Sequence, residues 1–171
     1  DLVAGAVRDL PPENIVGEPE GRDTANAIAL AAQILAARDG DATMAVFTAD
    51  HVIRPVDAFA QAVRSACDAA EKNPDALLTF GLRPTWPHTG LGYIESGAPV
   101  AEGVRRVVAF KEKPDHQTAR RYVDSGRHYW NSGMFVWRVE SILAALREFL
   151  PDSVERLDPV RRAAAAGDDY R

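Results

Sequence analysis

The sequence of 171 residues holds a single cysteine, Cys67, so no disulfide can form within the chain and a reducing compartment suits it. No apolar stretch approaches the roughly 20 residues that a membrane span needs. The first residues, Asp1-Leu2-Val3-Ala4-Gly5, lack the basic segment and apolar run of a signal peptide. They resemble the tail of a helix begun upstream, and with no Met at the start the expectation is a piece of a longer protein. Neither charge dominates. Lys and Arg number 20 against 25 Asp and Glu, a net charge of -5, which gives no broad basic field for nucleic acid. Internal repeats and low-complexity linkers are also missing.

What is present is ordinary for a globular protein: 46% hydrophobic and 26% charged residues. That is too apolar for a disordered chain and long enough for one domain or a large part of one. Cys67 lies in an alanine-rich helical pattern, where a buried small side chain is expected more than a reactive thiol.

Punctuation and periodicity divide the chain. After Pro11-Pro12, Ile15 to Glu18 reads as a short strand. Asp23 is placed to cap a helix from Thr24 to Ala37, with Ile28, Ala31, Ala32 and Leu35 on one face. Met44 to Phe47 and Ala76 to Phe80 read as strands buried on both faces, separated by a helix from Asp57 to Lys72. This alternation predicts right-handed crossovers and a mainly parallel sheet between helices. Further on, Gly92 to Glu95, Val104 to Lys111 and Gly133 to Trp137 read as strands. Asp115 to Gly126, Glu140 to Phe149 and Ser153 to Ala166 read as helices.

Four segments place polar residues at strand ends, where packing explains them poorly. Glu18 to Ile28 joins a strand end to a helix start, where free N–H groups attract anions; a plain N-cap in a surface loop is the other reading. Thr48-Ala49-Asp50-His51 follows a strand, and ligands bind beyond such ends in open α/β sheets. Asp50 is there either a turn residue or a magnesium ligand, and His51 reads as hydrogen-bonded structure. Lys111-Glu112-Lys113-Pro114 offers an acceptor for sugar hydroxyls beside a point charge suited to phosphate, or else a solvated charge run. Alternation sends Glu112 to one face, and Lys111 and Lys113 to the other, unless Pro114 bends the strand end. In Tyr129 to Phe135, Asn131 offers a donor and an acceptor together, as a vicinal diol requires. Gly133 allows close backbone approach, and Trp130 reads as core.

In order along the chain, Glu18-Pro19, Arg22-Asp23-Thr24-Ala25, Ala49-Asp50-His51-Val52-Ile53, Thr79-Phe80-Gly81, Pro84-Thr85, Thr89-Gly90 with Gly92-Tyr93-Ile94, Glu112-Lys113-Pro114 and Trp130-Asn131-Ser132-Gly133-Met134-Phe135 resemble the mannose-1-phosphate guanylyltransferase family. The resemblance covers about Glu13 to Pro151. It implies a three-layer α/β fold of the glycosyltransferase-A-like kind, with a mainly parallel mixed sheet flanked by helices. It implies joining of GTP and mannose 1-phosphate to give GDP-mannose and pyrophosphate, with Mg²⁺, in the cytoplasm. By motif, Asp50 holds the metal and Lys113 the sugar phosphate, both counted as catalytic. Glu112 and Asn131 bind the sugar, which the backbone at Gly92 and nearby Tyr93 borders, while Arg22, Asp23, Thr24 and Asn26 lie on the nucleotide side.

The family's glycine-rich triphosphate loop and its second metal-binding Asp are not among these residues, and Asn26 stands where the pattern has Pro. Residues 1–171 are therefore expected to form one partial domain, inactive alone. A homo-oligomer, a parent with an isomerase domain, a relative using another sugar or base, and a non-catalytic sugar-nucleotide sensor stay open. Nucleic acid and membrane are not expected partners.

Overall fold

The structure, a computed structural model, describes residues 5–7, 9–18, 20–21 and 23–167. In chain order, helix α1 spans Asp23–Arg38, β1 Thr43–Val46, α2 Val56–Lys72, β2 Leu78–Leu82 and β3 Tyr93–Ala101. Then come β4 Val104–Lys111, α3 His116–Ser125, β5 His128–Arg138, α4 Val139–Phe149 and α5 Pro151–Ala166. The chain divides into two compact units, one from Asp1–Gly40 with Ile142–Arg171, the other from Asp41–Ser141.

In the first unit α1 packs on α5. Small and branched residues, Ile28, Ala29, Ala32 and Ala36, bury the contact face of α1, and Val154 is buried on α5. The fully buried Gln33 sits on the same face and donates from Nε2 to the Val154 carbonyl (3.5 Å) and Asp158 Oδ1 (3.3 Å), as a buried amide must find partners. α5 begins two residues before the expected Ser153. Pro151 is its first helical residue, a position whose N–H has no helical partner to lose. Ile15 to Glu18, expected as a strand, is not one. It follows the 3-10 turn Pro12–Asn14 and has no partner strand among the described residues, and a lone strand cannot satisfy its backbone.

The second unit is built on a five-stranded sheet, with α2 packed on β1 and β5 and α3 on β5. Ala66 and Ala70 of α2 meet Val136 of β5, with Cys67, Leu78 and Phe80 around them. The half-buried Cys67 thiol is pushed up from its usual range, first by burial and then by Glu71 and Asp68, so it is a packing residue. α3 is bounded as expected. Asp115 Oδ1 accepts the Thr118 N–H at 2.7 Å, and Gly126 closes the helix at φ 65°, the left-handed conformation that glycine tolerates.

The α/β sheet flanked by helices agrees with the sequence expectation, but its strand pairing does not. Every described ladder is antiparallel: β1 with β5, β2 with β5, β3 with β5 and β3 with β4. β1 and β2 do run in the same direction around the crossover helix α2, since both are antiparallel to β5. The late strand β5 lies between them and takes the place of the expected parallel neighbour. Nor are the first two strands buried on both faces: Ala45 on β1 and Gly81 and Leu82 on β2 are exposed.

Candidate active site

The site follows from how the ladders use β5. Phe135 pairs with both Thr79 and Val46, and Trp130 with both Leu82 and Tyr93. A strand has two edges, so β2 occupies one and β1 and β3 share the other. β1 covers Phe135 to Arg138, and β3 covers His128 to Trp130. Between them, Asn131 to Met134 has no ladder partner on that edge. β1 ends toward this opening, β3 starts from it, and β4 ends beside the start of β3, where Lys111 pairs with Tyr93.

β5 is also irregular there. It advances from Asn131 to Phe135 while β2 advances only from Gly81 to Thr79, a bulge of the kind that re-aims side chains. Gly133, at φ 70°, supplies the backbone turn that a side chain would strain. A Cβ there would meet only Thr48 Cγ2 at 3.7 Å, which brings the segment after β1 against the bulge. The bulge is tied by its own polar groups. The buried Ser132 Oγ donates to the Phe80 carbonyl (2.7 Å) and accepts the Met134 N–H (3.2 Å). Thr79 Oγ1 donates to the Met134 carbonyl at 3.2 Å.

Asn131 is held at both ends. Its N–H donates to the Gly92 carbonyl (2.8 Å), and its Oδ1 accepts the Gly133 N–H (3.2 Å). That bond uses one lone pair of the amide oxygen and leaves both Nδ2 hydrogens as donors. Gly92 is the meeting point. A Cβ on it would lie 3.3 Å from Glu112 Oε2 and 3.7 Å from Asn131 Cβ, so glycine lets the carboxylate and the amide converge.

Simple alternation fails at Lys113. Its φ of 30°, just before Pro114, turns the chain, and Nζ lies 3.7 Å from Glu112 Oε1. The bend brings Lys113 to the side of Glu112 rather than of Lys111. Asp50 lies two residues past Thr48, with its carboxylate 86% exposed and 3.9 Å from His51 Nε2. The Asp50, Glu112 and Lys113 side chains are all largely exposed.

Tyr93 turns its side chain into the core. Its ring is fully buried against Tyr122 at 5.3 Å, and its hydroxyl donates to the His88 carbonyl at 2.8 Å. Gly92 immediately precedes β3, and with its ring in the core Tyr93 is left only its backbone to border a ligand. Among the nucleotide-side residues, Arg22 lies outside the described residues. Asp23, at φ 43°, is the first residue of α1 rather than a cap before it; Asp23 and Thr24 are exposed and Asn26 is half-buried. These three belong to the first unit, and all the others to the second.

Sequence reading gave no role to Thr79 and Ser132, which hold the bulge. The available signal was a hydroxyl inside an apolar strand, at Leu78-Thr79-Phe80 and next to Gly133.

Residues 8–165 match the model of the nucleotidyl transferase family, and the chain belongs to that family. Within it the chain is similar to mannose-1-phosphate guanylyltransferases. It is 42% identical to that of Sinorhizobium fredii over 99% of this chain and 33% of the relative. It is 46% identical to that of Escherichia coli K12 over 98% of this chain and 36% of the relative. The xanthan biosynthesis protein XanB of Xanthomonas campestris is 49% identical over 83% of this chain and 30% of its own length. The chain therefore spans about a third of these relatives. A solved mannose-1-phosphate geranyltransferase from Thermus thermophilus superposes with TM-score 0.80 at 30% identity, over 98% of this chain and 50% of that one. A mannose-6-phosphate isomerase from Helicobacter pylori does so with TM-score 0.76 at 32% identity, over 95% and 60%.

Proposed function

We propose that the parent protein transfers a guanylyl group from GTP to mannose 1-phosphate, giving GDP-mannose and pyrophosphate. The carrying observation is the opening along β5, where Glu112, Asn131 and Gly92 converge beside the exposed Lys113, in a chain of the nucleotidyl transferase family. The names of the relatives supply the sugar and the base. An oxygen of the sugar phosphate attacks the α-phosphorus of GTP, the bond to the β-phosphate oxygen breaks, and pyrophosphate leaves. The attacking oxygen is already anionic, so no general base is needed. The barrier is largely repulsion between two anions, which fixed positive charge and positioning reduce.

In this reading the Lys113 ammonium offsets the charge of the attacking phosphate. Glu112 accepts from sugar hydroxyls. Asn131 Nδ2 donates to a sugar oxygen, fixed in that role by the Gly133 N–H on its other atom. Arg22, Asp23, Thr24 and Asn26 serve the nucleotide. A magnesium ion suits Asp50: its carboxylate is exposed past the end of β1. No group of three or more His, Cys, Asp or Glu gathers among the described residues, which fits a cation completed by water and phosphate rather than by a protein cage. When bound, it would neutralise charge on the nucleotide phosphates. Cytoplasmic location goes with these substrates, and among the described residues no helix is long and apolar enough to cross a membrane.

A matrix of nucleoside triphosphates against sugar 1-phosphates, run on the parent protein with pyrophosphate release as readout, tests the reading. The highest kcat/KM is expected for GTP with mannose 1-phosphate. Another preferred pair would reassign the substrates. Binding of GDP-mannose with no turnover of any pair would make the protein a sensor.

A further inference from the structure

The concavity formed by Thr79, Gly81, Ile94, Ser96, Tyr129 and the β3–β4 hairpin takes no part in the proposed transfer. The hairpin contributes Arg105 and Arg106. Consecutive residues of a regular strand face opposite ways, so both line one cavity only because the ladder slips. Ser96 pairs with Val107, Pro99 with Arg105 and Ala101 with Val104, so β3 takes one residue more than β4 at each step. These two irregularities let both neighbouring arginines line the hollow. Among the described residues neither has a carboxylate within ion-pair distance, whereas Arg138 is paired with Asp41 at 2.8 Å. This basic hollow stands out in a chain of net charge -5.

Size limits the occupant. The cavity holds about 150 Å³, below the roughly 300 Å³ at which pockets for drug-sized ligands begin and room for about five waters at ~30 Å³ each. A nucleoside does not fit, but a compact oxyanion does. Planar guanidinium forks suit phosphate oxygens, and the Tyr129 phenol can donate a further hydrogen bond. We infer that this hollow is a second anion site, adjoining the β5 opening through Thr79, for inorganic phosphate or pyrophosphate.

The test is NMR titration of the parent protein with phosphate and then pyrophosphate, at constant ionic strength. Saturable shifts are expected at the Arg105 and Arg106 side-chain Nε–H groups and at the Gly103 amide. Tighter binding of pyrophosphate would assign the site to a diphosphate, and equal binding to a single phosphoryl group. R105A/R106A should weaken the response about tenfold or more, the loss of two charge-assisted contacts. R120A/R121A removes the same charge from the exposed face of α3 and should leave it intact. Shifts that grow linearly without saturating, or an equal loss in both double variants, would reduce the effect to general screening and overturn the site.

Discussion

The middle of β5 and the strand tips that face it are built in opposite ways. Asn131 to Met134 is a neutral segment in which backbone, amide and hydroxyl groups hold one another, with Ser132 buried beneath. Asp50, Glu112 and Lys113 are charged and exposed, and among the described residues their ion-pair contacts are with chain neighbours at 3.7–3.9 Å. Such exposed pairs add little to stability. The contrast separates two tasks. The bulge is a fixed neutral scaffold, and the tips carry charge that the fold leaves in solvent. Damage to the tips should therefore cost activity without stability, and damage to the bulge should cost stability first.

Lys113→Ala gives the largest expected effect. In the parent protein, kcat/KM for mannose 1-phosphate should fall by about 2–4 kcal/mol, as for loss of one preorganised charge stabiliser. The urea midpoint should not move. Unchanged kinetics would remove Lys113 from the phosphate role, and a large loss of stability would erase the contrast between tip and bulge.

Ser132→Ala comes next. It leaves the Phe80 carbonyl and Met134 N–H without their partner in a buried place, at a cost of about 1–3 kcal/mol in unfolding free energy. Gly133→Ala should cost less, about 1–2 kcal/mol, because only the φ of 70° opposes it. The added methyl meets Thr48 at an ordinary 3.7 Å. Urea titrations followed by tryptophan fluorescence would rank the two, and a neutral Gly133→Ala would mean that β5 straightens when asked.

These residues also show what sequence could and could not reveal. Strands and helices governed by local chemistry were legible: β4 runs over the expected Val104–Lys111, and α3 lies between the Asp115 cap and Gly126. The pairing of β1 and β2 was not, because it depends on β5 arriving from far along the chain to lie between them. At the site, Gly92, Glu112 and Asn131 stand out from the sequence at three separate strand ends, and the fold brings them together. The swing of Lys113 toward Glu112 needed a backbone angle that no periodicity encodes. Thr79 and Ser132 passed unnoticed because their work is to hold Asn131 and the bulge from behind.

The smallest expected effect tests how firmly β5 is anchored at its first residue. His128 is buried, stacks on Tyr122 at 4.1 Å, and has Nδ1 2.8 Å from Ser125 Oγ. The Ser125 hydroxyl already donates to the Tyr122 carbonyl, so His128 donates from Nδ1. Burial lowers its pKa below the usual 6.5. Arg127 and Lys111 add to the shift, and Glu95 opposes it. Because the folded form binds the proton less readily than the unfolded form, the stability from neutral His128 is complete above the unfolded pKa. It is lost as pH falls through the lower, folded value. Urea midpoints measured from about pH 7 down to about pH 5 should decline, and His128→Asn should flatten that decline. A variant with the same slope as the parent chain would place the pH dependence elsewhere and leave the anchoring of β5 to Tyr93 and Tyr122.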